Sequence, residues 1–281
     1  MSGGEAKAMK YQQSLVIGGK GSEPHQFAQS LTGLALDRRG LLHAAGDAEI
    51  KVYDPSGRLM SKWRTERPAL SIAVASTGHV YCGEEEQIEI FDPAAKTARV
   101  WKDPKMLGRV TAIGFAGNYV LAGDAAGRAI RRLDSAGRTV NTIGTDNNVG
   151  GLLIPNGTVS FGVDGEGVIH AANPGKHRVE RYSGEGELLG HFGRFHFQDP
   201  AGFTGCCNPT SVAIGDGIYV TEKAPPRLKV YGKDGQFGGV IAAECFDPNS
   251  KNIPVLAGAR GRVYAADPVK LHILVFEPEA V

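Results

Sequence analysis

A triplet of large, small and large apolar residues recurs along the chain. It reads Leu34-Ala35-Leu36, Ile72-Ala73-Val74, Ile113-Gly114-Phe115, Phe161-Gly162-Val163 and Val212-Ala213-Ile214, with a degraded sixth copy at Leu256-Ala257-Gly258. The central small residues lie 38, 41, 48, 51 and 44 positions apart. Each copy runs into a turn signal, such as Asp37-Arg38-Arg39-Gly40 or Asp164-Gly165-Glu166-Gly167. A second β-type run follows, for example Val80-Tyr81-Cys82 or Ile218-Tyr219-Val220. A third run alternates with period two, as in Ile50-Lys51-Val52-Tyr53 and Leu228-Lys229-Val230-Tyr231, the mark of a half-buried strand. Turns such as Asp54-Pro55-Ser56-Gly57 close it, and a weaker fourth run such as Leu188–Phe192 comes last.

Four short antiparallel strands in each ~45-residue unit make a propeller blade. Six copies predict an all-β, six-bladed propeller of four-stranded antiparallel blades. The small central residue reads as a packing requirement, because the innermost strands crowd around the axis. The sixth copy ends at Phe276, without room for its own outer strand. The segment Gln13–Gly18 precedes blade one and has the character of an outer strand. We expect it to complete the last blade, which removes the open edge of a linear array. Residues 1–10 are then a flexible N-terminus and 11–281 one propeller domain.

Composition narrows the function classes. The 39 glycines among 281 residues are about twice the ordinary share of ~7% and fit a turn-rich fold. Lys plus Arg is 31 and Asp plus Glu is 30, a net charge of +1. That balance speaks against a broad basic surface, so no nucleic-acid partner is expected. No apolar run reaches the ~18 residues of a membrane span. The first ten residues lack an apolar signal core. Export to the periplasm with the signal removed is the favoured expectation over a cytoplasmic location.

The segment Gly18-Gly19-Lys20-Gly21, through Gln26-Phe27 to Leu34-Ala35-Leu36-Asp37, resembles the glycine-rich lead-in of NHL repeats. Asp54-Pro55-Ser56-Gly57 resembles their strand-ending turn. The resemblance covers nearly the whole chain and implies an NHL-type propeller. It leaves function open, since such propellers include protein-binding and RNA-binding modules, lyases and hydrolase-like enzymes.

In a propeller, the loops entering the inner strands and those joining second to third strands share one face, and sites tend to lie at such a mouth. The entering loops carry Arg67, Arg109, Asn156, Cys206-Cys207-Asn208-Pro209 and Asn252. The other loops carry Asp47, Glu84, Glu85, Asp124, Asn173, Glu222, Lys223 and Asp267. Gly46, Glu84, Asp124, Asn173, Glu222 and Asp267 form one repeated column, which reads as architecture rather than catalysis. Glu222 is set apart as a candidate base, since Lys223 follows it and the blade also holds the cysteine pair. His43 and His170 read as packing residues, while His191 and His196 bracket a glycine-rich turn.

The four cysteines, Cys82, Cys206, Cys207 and Cys245, fit neither a Cys-x-x-Cys motif nor a four-ligand zinc site. Cys82 reads as a small core residue and Cys245 as a structural thiol. Cys206 and Cys207 are adjacent, and three chemistries follow. Oxidised, they close a vicinal disulfide. Reduced, they offer thiolates to a soft transition metal such as copper, zinc or an iron–sulfur cluster, with further ligands required. Alternatively one thiolate is a nucleophile, its pKa lowered by Lys223 if that residue is close. The run Phe203–Pro209, followed by Thr221–Arg227, resembles a subgroup of bacterial NHL-repeat proteins that are often exported. That resemblance implies that blade five is the functional one.

The expected function is a binding or accessory propeller, taking a small-molecule ligand, a soft metal or a redox change around Cys206 and Cys207. Asn208 would fix the loop, and Arg67, Arg109, Glu222 and Lys223 would complete the ligand site. Two alternatives stand beside it. One is a metal-assisted hydrolase or lyase with Glu222 as base. The other is a scaffold for a partner protein.

Overall fold

The computed structural model describes residues 10–279, so the expected flexible N-terminus lies, apart from Lys10, outside the described residues. Six four-stranded antiparallel sheets follow one another along the chain. The inner strands are Gly33–Leu36, Ser71–Val74, Val110–Ala116, Phe161–Val163, Ser211–Ile214 and Val255–Ala257. In blade one the second, third and outer strands are Leu42–Gly46, Glu49–Tyr53 and Leu59–Arg64. Blades two to five repeat this order.

Blade six takes its outer strand from the other end of the chain. Tyr11–Gly18 pairs antiparallel with His272–Pro278, with Gly18 opposite His272 and Tyr11 opposite Pro278. The ring is therefore closed by main-chain hydrogen bonds between the two ends, as expected from the missing outer strand. No helix among the described residues is long and apolar enough to cross a membrane.

Local chemistry sets the hairpins. In Asp54-Pro55-Ser56-Gly57 the Asp54 carboxylate accepts from the N–H groups of Ser56 and Arg58, and Gly57 supplies the left-handed residue at φ 84°. The Asp37, Asp134 and Asp164 carboxylates accept from the turn backbone in the same way.

The triplets meet around the axis. Five of them line one channel cavity of about 340 Å³, joined in blade six by Val255-Leu256-Ala257; the sixth triplet therefore sits one residue earlier than Leu256-Ala257-Gly258, with Leu256 opposite Tyr264 where Ala35 is opposite His43. A Cβ on Gly114 would lie 2.8 Å from the Phe161 ring, and one on Gly162 would lie 2.6 Å from Ile214. The central position is small because the next blade's inner strand already fills the space. Buried apolar side chains form six clusters, one at each junction between neighbouring blades.

Hydroxyls stitch these junctions at the top of the inner strands. Thr32 donates to the Ala69 carbonyl, Ser71 to Val110 and Thr221 to Ile253. Ser160 accepts from the Val212 N–H. Thr111 does both, donating to the Val159 carbonyl and accepting from its N–H, each at 3.0 Å. Each bond joins a blade to the next, where the two strands have no shared ladder. Thr111→Val keeps the shape and removes both bonds. Leaving buried polar groups unpaired costs ~1–3 kcal/mol, and at ~2–4 °C per kcal/mol thermal unfolding should show a midpoint lower by several degrees. Thr111→Ser, which retains the hydroxyl, should recover most of the loss.

Candidate functional site

The top face is built on buried polar groups at the ends of the second strands. In blades two, three, four and six the column side chain accepts a hydrogen bond from the loop that enters the inner strand. Glu84 accepts from the Arg67 N–H, Asp124 from Gly108, Asn173 from Leu153 and Asp267 from Asp247. In blade one a Cβ at Gly46 would lie 2.1 Å from the Ser30 carbonyl oxygen. There the next residue takes over, and Asp47 accepts from the N–H groups of Ala28, Gln29 and Ser30.

Blade five departs from this pattern. Glu222 is fully buried and pairs with Arg227 at 2.7 Å and Lys229 at 3.2 Å. Lys229, itself fully buried, donates to the carbonyls of Pro200 and Gly202 and lies over the Phe203 ring. Burial pulls its pKa down to about 8, although Glu222 opposes the shift. The loop is instead held by Asn208, whose amide donates to the Thr204 and Lys223 carbonyls and accepts from the Lys223 N–H. This clamp surrounds the cysteines. Gly205, at φ 66°, sets the backbone just before Cys206. The Cys206 and Cys207 sulfurs are 3.1 Å apart; Cys206 is exposed and Cys207 buried, and both are free thiols. Burial and the Cys206 sulfur raise the Cys207 pKa, while the neighbouring Lys223 ammonium works against the rise.

A second cluster lies across the face, at blades two and three. Arg109 Nε donates to the Glu85 carboxylate at 2.9 Å, and Arg67 donates to the Glu85 carbonyl at 3.1 Å. Arg109 also reaches the Gly157 carbonyl. From there the Asn156 amide donates to Asn252, which donates in turn to Thr158. This chain of contacts runs over the axis and roofs a cavity of about 320 Å³. Its polar walls include Arg109, Asn252 and hydroxyls such as Thr32, Ser71, Thr111 and Ser160.

The residues singled out in the sequence thus separate into two groups. Arg67 and Arg109 meet through Glu85. Cys206, Cys207, Asn208 and Lys223 meet at blade five, with Glu222 beneath them and turned to Arg227 and Lys229. The cavity wall contains Arg109 but no member of the second group. Among the described residues no group of three or more His, Cys, Asp or Glu side chains is arranged to hold a metal ion. A soft metal at blade five would have the two thiols and no third protein ligand of these types. His196 is occupied in accepting from the N–H groups of Gln198 and Asp199. His170 pairs with Asp164 at 2.9 Å. Sequence reasoning missed the row of junction hydroxyls, although four of them, Thr32, Ser71, Thr111 and Ser160, lie within two residues of a triplet and were there to be read. It had no signal for the Asn156–Asn252 bridge, whose partners are 96 positions apart.

The fold and face define a six-bladed propeller with a polar axial mouth. No protein-family model matches the sequence, and no curated protein matches it. Solved structures share its shape. A streptogramin B lyase is 13% identical, covering 98% of this chain and 100% of that one, with a TM-score of 0.64. Virginiamycin B lyase from Staphylococcus aureus is 12% identical over 97% of this chain and 90% of its own, with a TM-score of 0.60. A chain of a mitotic checkpoint complex is 13% identical over 100% and 97%, with a TM-score of 0.65. At these identities the likeness is one of fold. The resemblance to NHL repeats is one of pattern, without a matching family model behind it.

Blade two carries a testable electrostatic feature. The buried Glu84 faces Glu89, with Gln87 as its hydrogen-bond donor. Burial first, and then the Glu89 carboxylate, raise its pKa from 4.5 to about 7. The folded state therefore holds a proton that the unfolded chain has lost across this interval. Stability should fall as pH rises from about 4.5 through about 7. Glu84→Gln should be near neutral at the acid end and stabilising above the interval by about 1–2 kcal/mol. Urea unfolding of both proteins across this pH range checks it.

Proposed function

We propose that this chain is a ligand-binding propeller that takes a small polar molecule with an anionic group in its axial mouth. The carrying observation is the composition of the cavity wall. Among the described residues Arg109 is its one charged side chain, and hydroxyls and the Asn252 amide supply the remaining polar groups. Ligand pockets of this kind combine an apolar body with a few placed polar groups. Here the Leu, Ile and Val side chains at the tops of the inner strands form the body.

Arg109 is held ready for exchange. Its present partner, Glu85, is about half exposed, as is Arg109 itself, and exposed ion pairs are worth only ~0–1 kcal/mol. An incoming carboxylate or phosphate can displace Glu85 without a buried charge being stranded. Arg67, on the Glu85 carbonyl, adds a second positive charge nearby.

Binding is preferred here to acid–base catalysis. Among the described residues the wall has no histidine, cysteine or carboxylate to move a proton, and Glu222 is buried under two cations. A lyase reading, which the fold likeness invites, needs such a group at the mouth. A partner protein remains the alternative occupant of this face. It would use the exposed Phe195 and Phe197 at the loop between blades four and five, where exposed aromatics suit a protein contact.

Calorimetric titration with inorganic phosphate and a series of small mono- and dicarboxylates tests the proposal. At least one anion should bind, and Arg109→Ala should weaken it by about tenfold or more, the ~1.4 kcal/mol of one lost charged contact. Glu85→Gln should tighten binding of the same anion, because the competitor is gone. Failure of every anion to bind, or equal affinity in Arg109→Ala, overturns it.

A further inference from the structure

We propose that Cys206 and Cys207 form an exchange-active dithiol that reduces small-molecule disulfides, with Cys206 attacking and Cys207 resolving. This is a separate activity from ligand binding at the mouth, since neither cysteine lines that cavity.

Three features of the loop carry the assignment. The sulfurs are 3.1 Å apart, close enough to join as a strained vicinal disulfide, the kind that exchanges readily. They are unequal in access: Cys206 is exposed, and Cys207 is 5% exposed. A disulfide from solution can reach only the first. The loop is also fixed in place, because the buried Asn208 amide makes three hydrogen bonds to Thr204 and Lys223 around the pair. Neither Cys82, buried in the core, nor Cys245 has a second thiol beside it.

Lys223 completes the arrangement. Its ammonium lies beside the Cys207 thiol and offsets part of the rise in pKa that burial and the Cys206 sulfur impose there. The adjacent Glu222 is already paired with Arg227 and Lys229, which leaves the Lys223 charge to the sulfur. Thiolate, not thiol, is the attacking species in exchange.

The chemistry balances as two exchanges. The Cys206 thiolate attacks one sulfur of a disulfide RSSR. The RS–SR bond breaks, a Cys206–SR bond forms, and one RSH leaves with the proton that Cys206 gave up. The Cys207 thiolate then attacks the Cys206 sulfur of this mixed disulfide. The Cys206–SR bond breaks, and a second RSH leaves with the proton from Cys207. Two protein thiols are oxidised to one vicinal disulfide, and one RSSR is reduced to two RSH.

The test treats the fully reduced chain with oxidised glutathione, quenches with acid and maps the cysteine peptides by mass. In the wild type the peptide holding Cys206 and Cys207 should lose two hydrogens, with two reduced glutathiones released per chain. Cys207→Ser should stop at one glutathione on Cys206, with one equivalent released. Cys206→Ser should react at least about tenfold more slowly, because the remaining thiol is buried. A wild-type chain that keeps a stable glutathione on Cys206 with Cys207 still reduced overturns the proposal. So does equal reactivity of the two single variants, or reaction confined to Cys82 or Cys245. The wild-type mapping decides the matter even if a serine variant does not fold, and circular dichroism identifies that case.

Discussion

The contact between neighbouring inner strands governs this molecule. These strands lie side by side around the axis without a common hydrogen-bond ladder, so packing and a few side-chain bonds must hold each blade to the next. Small residues at Ala35, Ala73, Gly114, Gly162 and Ala213 allow the approach in five blades, while in blade six Leu256 stands in this column. The large residues on either side fill the channel and the six junction clusters. At the top of the strands, hydroxyls from Thr32, Ser71, Thr111, Ser160 and Thr221 bond across the junctions. Pairing of Tyr11–Gly18 with His272–Pro278 completes the last blade and closes the ring, leaving only the short strand edges of the individual blades.

The same economy of contacts explains the polar groups of the top face. Every loop that enters an inner strand must be tied down, or its backbone would be left unpaired above the mouth. The chain meets this need with one acceptor per blade, buried in every blade but the first and usually a carboxylate at or just past the end of the second strand. In blades three and five a cation in the third strand neutralises a buried carboxylate, as with Arg131–Asp124 and Lys229–Glu222, and in blade one the buried Lys51 pairs with the half-buried Glu49. Blade two has Glu89 where such a cation would stand, and two carboxylates share the space. Blade five uses Asn208, a neutral amide, and so keeps the loop rigid without placing a carboxylate beside its cysteines. That exchange of device lets thiols and an ammonium group share one corner of the face.

Much of the fold was legible because a propeller repeats one unit. The triplet, the Asp-x-x-Gly turns and the period-two third strand each report local geometry, and six copies make the reading redundant. The site was legible only as a set of loops. Arg67 and Arg109 stood out as cations, but their junction at Glu85 depends on two entering loops and a strand-joining loop converging. The Lys229 carbonyl contacts at Pro200 and Gly202 likewise join a strand to a loop nearly thirty positions earlier. Glu222 illustrates the limit well. Its neighbours in the sequence place it beside Lys223, whereas its charge is met by Arg227 and Lys229 from the next strand.

By itself the sequence determined the number of blades, the strands within each, and the need for the N-terminal segment to close the ring. Those properties follow from hydrophobic period and turn chemistry, which act over a few residues. Only the tertiary structure decided which polar residues share a cavity, which carboxylates are neutralised and which cysteine faces solvent. Such outcomes depend on burial and on distances between blades, where partners stand tens of residues apart and no local pattern records their meeting.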